Sequence, residues 1–144
     1  MDLKALMVDT KAVWVDFPGL EGFTVEVVNL SRKELTSLRK KCTTTKFDRK
    51  TRQATDEIDE ERFVEYFTKA VIKNWKGLKY KYLETLLLVD VANEDPEKTL
   101  TYTEDNAQTL VSSSAEFDTW LNEVVFDLDN FRTARKGPPV QTTG

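Results

Sequence analysis

The sequence predicts an α+β fold: a mostly helical single domain over residues 1–134, with an amino-terminal β-hairpin and about five helices, then a flexible tail over 135–144. Three observations lead there. Apolar residues alternate with period two from Ala12 to Leu30, and from Ser31 onward they recur with the helical period instead. A chain of 144 residues, 40% hydrophobic and 32% charged, fits one ordinary domain that buries about two-thirds of its unfolded surface.

The hairpin rests on Val13, Val15 and Phe17 set against Trp14 and Asp16, followed by Phe23, Val25 and Val27 set against Thr24 and Glu26. Pro18-Gly19 between them suits a type II turn, because Pro presets φ and Gly tolerates a positive φ. Two strands alone are marginal, so a helix is expected to cover their apolar face. Ser31 and Glu34 form a capping box, with Leu30 and Leu35 placed as a hydrophobic staple. The first helix carries Leu35, Leu38 and Cys42 on one face and Arg39, Lys40 and Lys41 in its last turn, and ends near Thr43. Thr43 to Thr55 has Phe47 as its one large apolar side chain and reads as an exposed loop or a short irregular hairpin.

Asp59 caps a second helix with Phe63, Phe67, Ala70, Val71, Asn74 and Trp75 on its stripe and Gly77 at its end. Tyr82, Leu83, Leu86, Leu87 and Val89 continue into a third, shorter helix, and Asn93 to Pro96 is a loop. Thr103 caps a helix through about Val111. Ser113 with Glu116 offers another capping box, leading to the stripe Phe117, Trp120, Leu121, Val124, Val125, Leu128 and Phe131. At least two of Trp14, Trp75 and Trp120 are expected in the core, with an exposed one a candidate interface anchor. From Arg135 the composition is that of a frayed end.

Composition excludes much chemistry. The chain has no histidine, which removes Ser-His-Asp and Cys-His nucleophile pairs, His-ligated metals and imidazole pH switching. One cysteine, Cys42, makes neither an internal disulfide nor a multi-thiolate site, and on its apolar stripe it reads as a small buried hydrophobe. The five glycines are too scattered for a phosphate cradle. Asp127-Leu128-Asp129 has the spacing of calcium ligands without the turn glycine or the terminal glutamate. No carboxylate pair stands out from helix capping and solvated faces, so no catalytic residue, cofactor or metal is expected and the chain reads as a non-enzyme. No apolar run approaches the roughly 20 residues that span a bilayer, and no signal peptide is evident, so a soluble cytoplasmic protein is expected.

Charge is polarised. The net charge is −4, yet Arg32 to Arg52 holds nine basic residues against Glu34 and Asp48, a local +7 that leaves −11 for the rest. Acidic residues follow at once from Asp56 to Glu65, and Glu116, Asp118, Glu123, Asp127 and Asp129 load the closing helix. The ordinary reading is two neighbouring solvated faces. The functional one is a basic surface for an acidic partner, with Lys40, Lys41, Lys46, Arg49, Lys50 and Arg52 as its candidate residues. The acidic partner is either another protein or a second copy, and head-to-tail contact between unlike patches makes a ring or an open spiral. Nucleic acid is the third option, from the basic stretch and Lys79-Tyr80-Lys81-Tyr82, but a pI near 5.0 argues against it.

Taken in order, Trp14 to Pro18, Leu30 to Leu35, Lys40 to Thr43, Thr51 to Gln53, Trp75 to Leu78, Tyr102 to Ala107 and the closing amphipathic helix to Phe131 resemble the tail assembly chaperones of long-tailed bacteriophages. That resemblance implies a small, mostly helical, non-enzymatic protein of the host cell cytoplasm. It would bind the tape-measure protein, assist tail-tube assembly with the tail-tube protein as a further candidate partner, and be absent from the finished virion. It also implies a short form, because the chain ends after Pro138-Pro139 without the second domain of the frameshifted longer form. The alternatives are a small structural tail or connector protein retained in the virion, and a nucleic-acid-binding accessory protein.

Overall fold

The computed structural model describes residues 2–8 and 11–135. The expected tail lies outside these beyond Arg135. The fold is α+β, with seven helices and two antiparallel sheets among the described residues. A four-residue helix, α1 (Leu3–Leu6), precedes β1 (Val13–Asp16) and β2 (Thr24–Val27). These two strands form the expected hairpin, with Val13 opposite Val27 and Val15 opposite Val25 on the inner face, and Trp14 opposite Glu26 on the outer. Two tandem turns join them. Leu20 N–H donates to the Phe17 carbonyl with Gly19 at φ +86°, and Phe23 N–H donates to the Leu20 carbonyl with Gly22 at φ +84°. Each glycine supplies the positive φ that its turn requires.

A third strand, β5 (Ile72–Lys76), pairs with the free edge of β2, giving the order β1-β2-β5. This corrects the expected single helix from Asp59 to Trp75. The helix α3 (Glu60–Val71) stops at Val71, and Asn74 and Trp75 belong to the strand. Ile72 and Trp75 point inward, and Lys73 is the extra residue of a bulge where the register changes between Glu26 and Val27. The spacing of Val71, Asn74 and Trp75 fits a helix equally well. The open edge of β2 decides for the strand, since its backbone groups need partners that a longer helix would not supply. Gly77, at φ +73°, closes a strand and not a helix.

The other corrections are local. Between α2 (Arg32–Lys41) and α3 stand β3 (Thr43–Asp48) and β4 (Gln53–Ile58), a regular six-residue ladder where a loop or irregular hairpin was expected. The third helix, α4 (Tyr80–Leu86), starts earlier and ends sooner, leaving Val89 outside. After α5 (Glu104–Ser113), the cap of α6 (Ala115–Val125) is Ser114 and not Ser113: its N–H donates to Leu110 and its Oγ accepts from Phe117 N–H at 3.2 Å, so one residue closes one helix and opens the next. The closing stripe is broken at Phe126–Leu128, and α7 (Asp129–Arg135) begins afresh, leaving Leu128 half exposed and Phe131 buried.

The core lies where the inner face of β1-β2-β5 meets α3, α5 and α6. Phe23, Val25, Val27, Val71, Phe117, Leu121 and Val125 are fully buried there. Phe17 packs its ring 5.0 Å from Trp120 and 5.9 Å from Phe117, so α6 supplies the cover that the hairpin needs. Two of the three tryptophans, Trp75 and Trp120, are core residues. Trp14 is 41% exposed, with the Lys76 ammonium 4.6 Å above its ring. Buried Asn29 donates to the Val125 carbonyl at 2.7 Å, and Trp75 Nε1 donates to the Leu100 carbonyl at 2.9 Å, tying the sheet to the helices and the long loop. Among the described residues no helix is long and apolar enough to cross a membrane.

Candidate partner-binding surfaces

The capping box forms as the sequence predicts: Ser31 Oγ accepts from Glu34 N–H and Glu34 Oε1 from Ser31 N–H. It starts α2 at Arg32, and the run of Arg39, Lys40 and Lys41 reaches the carboxyl end of that helix, where the dipole favours cations. The chain then leaves the body at Cys42 and re-enters it at Asp59, whose N–H donates to the Cys42 carbonyl at 2.8 Å. Cys42 is 1% exposed, and burial raises its thiol pKa, so it packs as the small hydrophobe expected.

Everything between is an arm. In β3 and β4 every residue is exposed except half-buried Thr43, and among the described residues the two strands pair only with each other. The register sorts the side chains by face. Thr43, Thr45, Phe47, Ala54, Asp56 and Ile58 share one face; Thr44, Lys46, Asp48, Gln53, Thr55 and Glu57 share the other. The first face carries the arm's two large apolar side chains, Phe47 64% and Ile58 43% exposed, with the Thr45 hydroxyl donating to Asp56 Oδ1 at 2.9 Å between them. On the polar side Lys46 Nζ meets Glu57 at 3.0 Å. The tip is closed by Arg52 N–H donating to the Asp48 carbonyl at 2.7 Å and Lys50 N–H donating to Asp48 Oδ1 at 2.8 Å. Arg52 takes φ +58° to complete the turn.

This geometry divides the six candidate cations. Arg49, Lys50 and Arg52 crown the tip, Lys46 is engaged with Glu57 midway, and Lys40 and Lys41 stay at the base in α2. At about 3.4 Å per residue the arm separates tip from base by about 17 Å, so the stretch does not form one basic patch. The acidic run divides too. Asp56 and Glu57 return along the arm, while Glu60 and Glu61 occupy the first turn of α3, where carboxylates suit the positive end of the helix.

Two further surfaces combine charge with exposed apolar side chains that the sequence did not single out. An open groove runs between α2 and α3, lined by Leu38, Lys41, Tyr66, Lys69 and Ala70. Lys69 is held by Glu65 at 3.3 Å, which raises its pKa. Tyr66 lies off the core stripe of α3, and that offset was the available signal. The second surface is the α6–α7 turn, where Phe126 is 40% and Leu128 50% exposed beside Glu123, Asp127 and Asp129. Phe126 is likewise off the stripe. Among the described residues no group of three or more acidic or cysteine side chains is placed to hold a metal ion.

A family model described as YdaY prophage protein matches residues 31–137, covering every element from α2 to α7. No curated protein matches the chain, and no solved structure does.

Proposed function

We propose that this chain, which belongs to the YdaY prophage protein family, acts in phage tail assembly as a non-enzymatic chaperone that binds the tape-measure protein. The observation that carries the reading is the groove between α2 and α3. It is lined by the apolar surface of Leu38, Tyr66 and Ala70, with Lys41 and, beside it on α2, Lys40 as the cations along one side, while Lys69 on the other is paired with Glu65 and Glu104. Such a trough accepts an amphipathic helix whose polar flanks are acidic, by the helix-in-groove mode. Opposite charge along the rim speeds the encounter and sets its orientation. A long helical protein presents such a stripe many times over and needs covering until it assembles. The prophage family and the resemblance of the sequence landmarks to tail assembly chaperones both support this role.

The test is co-expression with the tape-measure protein encoded by the same prophage, followed by co-purification and titration with its helical segments. Wild type is retained, whereas the combined variant Lys40→Glu, Lys41→Glu, Tyr66→Ala loses at least tenfold in affinity and keeps its helical circular dichroism. Equal binding by both sinks the groove as the site. Mass spectrometry of purified particles checks the role itself: a chaperone is absent from the virion, and its presence there in fixed copy number favours a structural tail component.

A further inference from the structure

We infer that the cavity between α3 and α5 is a socket for a guanidinium group, such as the head of an arginine side chain. Lys69 borders both this cavity and the α2–α3 groove. The inference goes beyond the proposed chaperone role and does not rest on it, because it requires neither the groove nor the tape-measure protein.

The cavity has a volume of about 60 Å³. That is well below the roughly 300–1,000 Å³ of small-molecule sites, so it admits one charged head group and not a nucleotide or a sugar. Its charge sets the sign of the ligand. Glu65 on α3 and Glu104 and Asp105 at the start of α5 line it against Lys69, the one cation, which leaves −2. Lys69 already marks where a cation belongs: its Nζ stands 3.3 Å from Glu65 and 3.9 Å from Glu104. Asp105 has no ion-pair partner among the described residues.

A second observation points to the same place. Thr68 lines the cavity, is 2% exposed, and holds the one buried side-chain oxygen or nitrogen without a hydrogen-bond partner among the described residues. Thr36, Thr43 and Ser112 donate their hydroxyls to the carbonyl four residues back, the usual resort of such a side chain on a helix. Thr68 does not, which leaves its oxygen free to accept. Buried polar atoms are almost always paired, and an unpaired one beside three carboxylates is where a donor from outside belongs. Helix capping accounts for part of the cluster. Glu104 and Asp105 answer the positive end of α5, as carboxylates in a first turn do. It accounts neither for Glu65 on another helix, nor for the cavity, nor for Thr68.

The acceptors also select the kind of cation. Among the described residues no acidic group is placed to converge on a metal ion. The carboxylates meet a ligand at separate points, together with the Gln108 amide and the Thr68 hydroxyl. An ammonium is a compact charge with three donors, whereas a guanidinium is planar, has five and is more weakly hydrated. Tyr102 lines the cavity as well, and an aromatic ring attracts a guanidinium further. The ligand therefore enters beside the Lys69 ammonium and shares its two glutamates.

Titration of the full chain with methylguanidinium, followed by amide NMR shifts in about 50 mM salt, tests the socket. The shifts are expected to be half-saturated near about 1 mM, within reach of so small a ligand, and to be confined to α3 and the start of α5. Methylammonium and the uncharged methylurea bind at least about tenfold more weakly. Glu104→Gln with Asp105→Asn loses about tenfold, and Thr68→Val, which keeps the shape and removes the hydroxyl, loses about threefold. Lys69→Met moves the other way and tightens binding, because the competing cation is gone. A fold lost in the variants would not produce that opposite pair of effects, and circular dichroism checks each. A short peptide with one arginine distinguishes the sources of the group, with its citrulline counterpart as control. Binding tighter than methylguanidinium assigns the socket to a polypeptide, and weaker binding assigns it to a free guanidine compound. No saturation at tens of millimolar, equal binding of methylammonium or methylurea, or shifts centred on another acidic surface overturns the inference. So does unchanged affinity in the carboxylate or Thr68 variants, or weakened affinity in Lys69→Met.

Discussion

Gly77 lies against Gly22 so closely that a methyl group on its Cα would overlap the Gly22 carbonyl oxygen and sit 2.7 Å from the carbonyl carbon. The end of β5 and the second turn of the β1–β2 connection thus pack together because Gly77 has no side chain, at a residue that also needs φ +73°. Gly77→Ala is expected to cost about 3–5 kcal/mol, combining left-handed strain with a backbone collision. Gly19 has φ +86° and open space around it, so Gly19→Ala should cost only about 1–2 kcal/mol. Urea melts of the two variants check the ranking.

Trp120→Ala should lose roughly 3–5 kcal/mol, because it empties the aromatic cluster of Phe17 and Phe117 under the hairpin. Ser31→Ala removes a cap and should lose only about 1 kcal/mol. Trp14→Ala, on the outer face of the sheet, should fall below Trp120→Ala in the same melts. A reversed order would mean that α6 is not a core element.

Ser114→Ala should cost about 1–3 kcal/mol, since it strands the Phe117 N–H in a buried site, whereas Ser113→Ala should be close to neutral. Thermal unfolding distinguishes them, and equal effects would return the cap to Ser113.

Amide exchange should separate the arm from the body. In dilute solution β3 and β4 are expected to exchange at the low-protection end, while β2, flanked on both sides, approaches the global limit. Arg52→Gly relieves the strained φ and should slow exchange along the arm even though it removes one charge.

Cys42 should resist thiol reagents in the native state and react fully on unfolding. Its folded pKa lies above the ordinary 9.0, so the neutral thiol is the form the fold prefers. The stability this contributes is complete below the unfolded pKa and is lost as pH rises through the folded one. Cys42→Ala should therefore flatten the alkaline limb of the stability–pH curve, measured by urea midpoints above pH 9.

Elements that carry local chemistry were legible in the sequence. The Pro18-Gly19 turn, the Ser31–Glu34 box and the Asp59 and Thr103 caps act within four residues, and all four form. Elements decided by distant partners were not. Ile72–Lys76 became a strand because β2 had an open edge, a fact located 45 to 52 residues earlier in the chain. The six cations of the candidate surface were visible as a cluster in sequence, but only the ladder of β3 and β4 shows that they separate into tip and base. Tyr66 and Phe126 were hidden for a simpler reason: periodicity finds core stripes, and surface contact residues stand off them.

The Asp59–Cys42 hydrogen bond has a consequence for how this molecule can change. It brings the two ends of the β3–β4 excursion to one point, so the chain departs and returns without altering the path of α2 or α3. Insertions, deletions or replacement between those two residues are therefore expected to leave the body folded. The arm is thus a detachable part of the molecule, joined to the body through a single closed gate of backbone at Cys42 and Asp59.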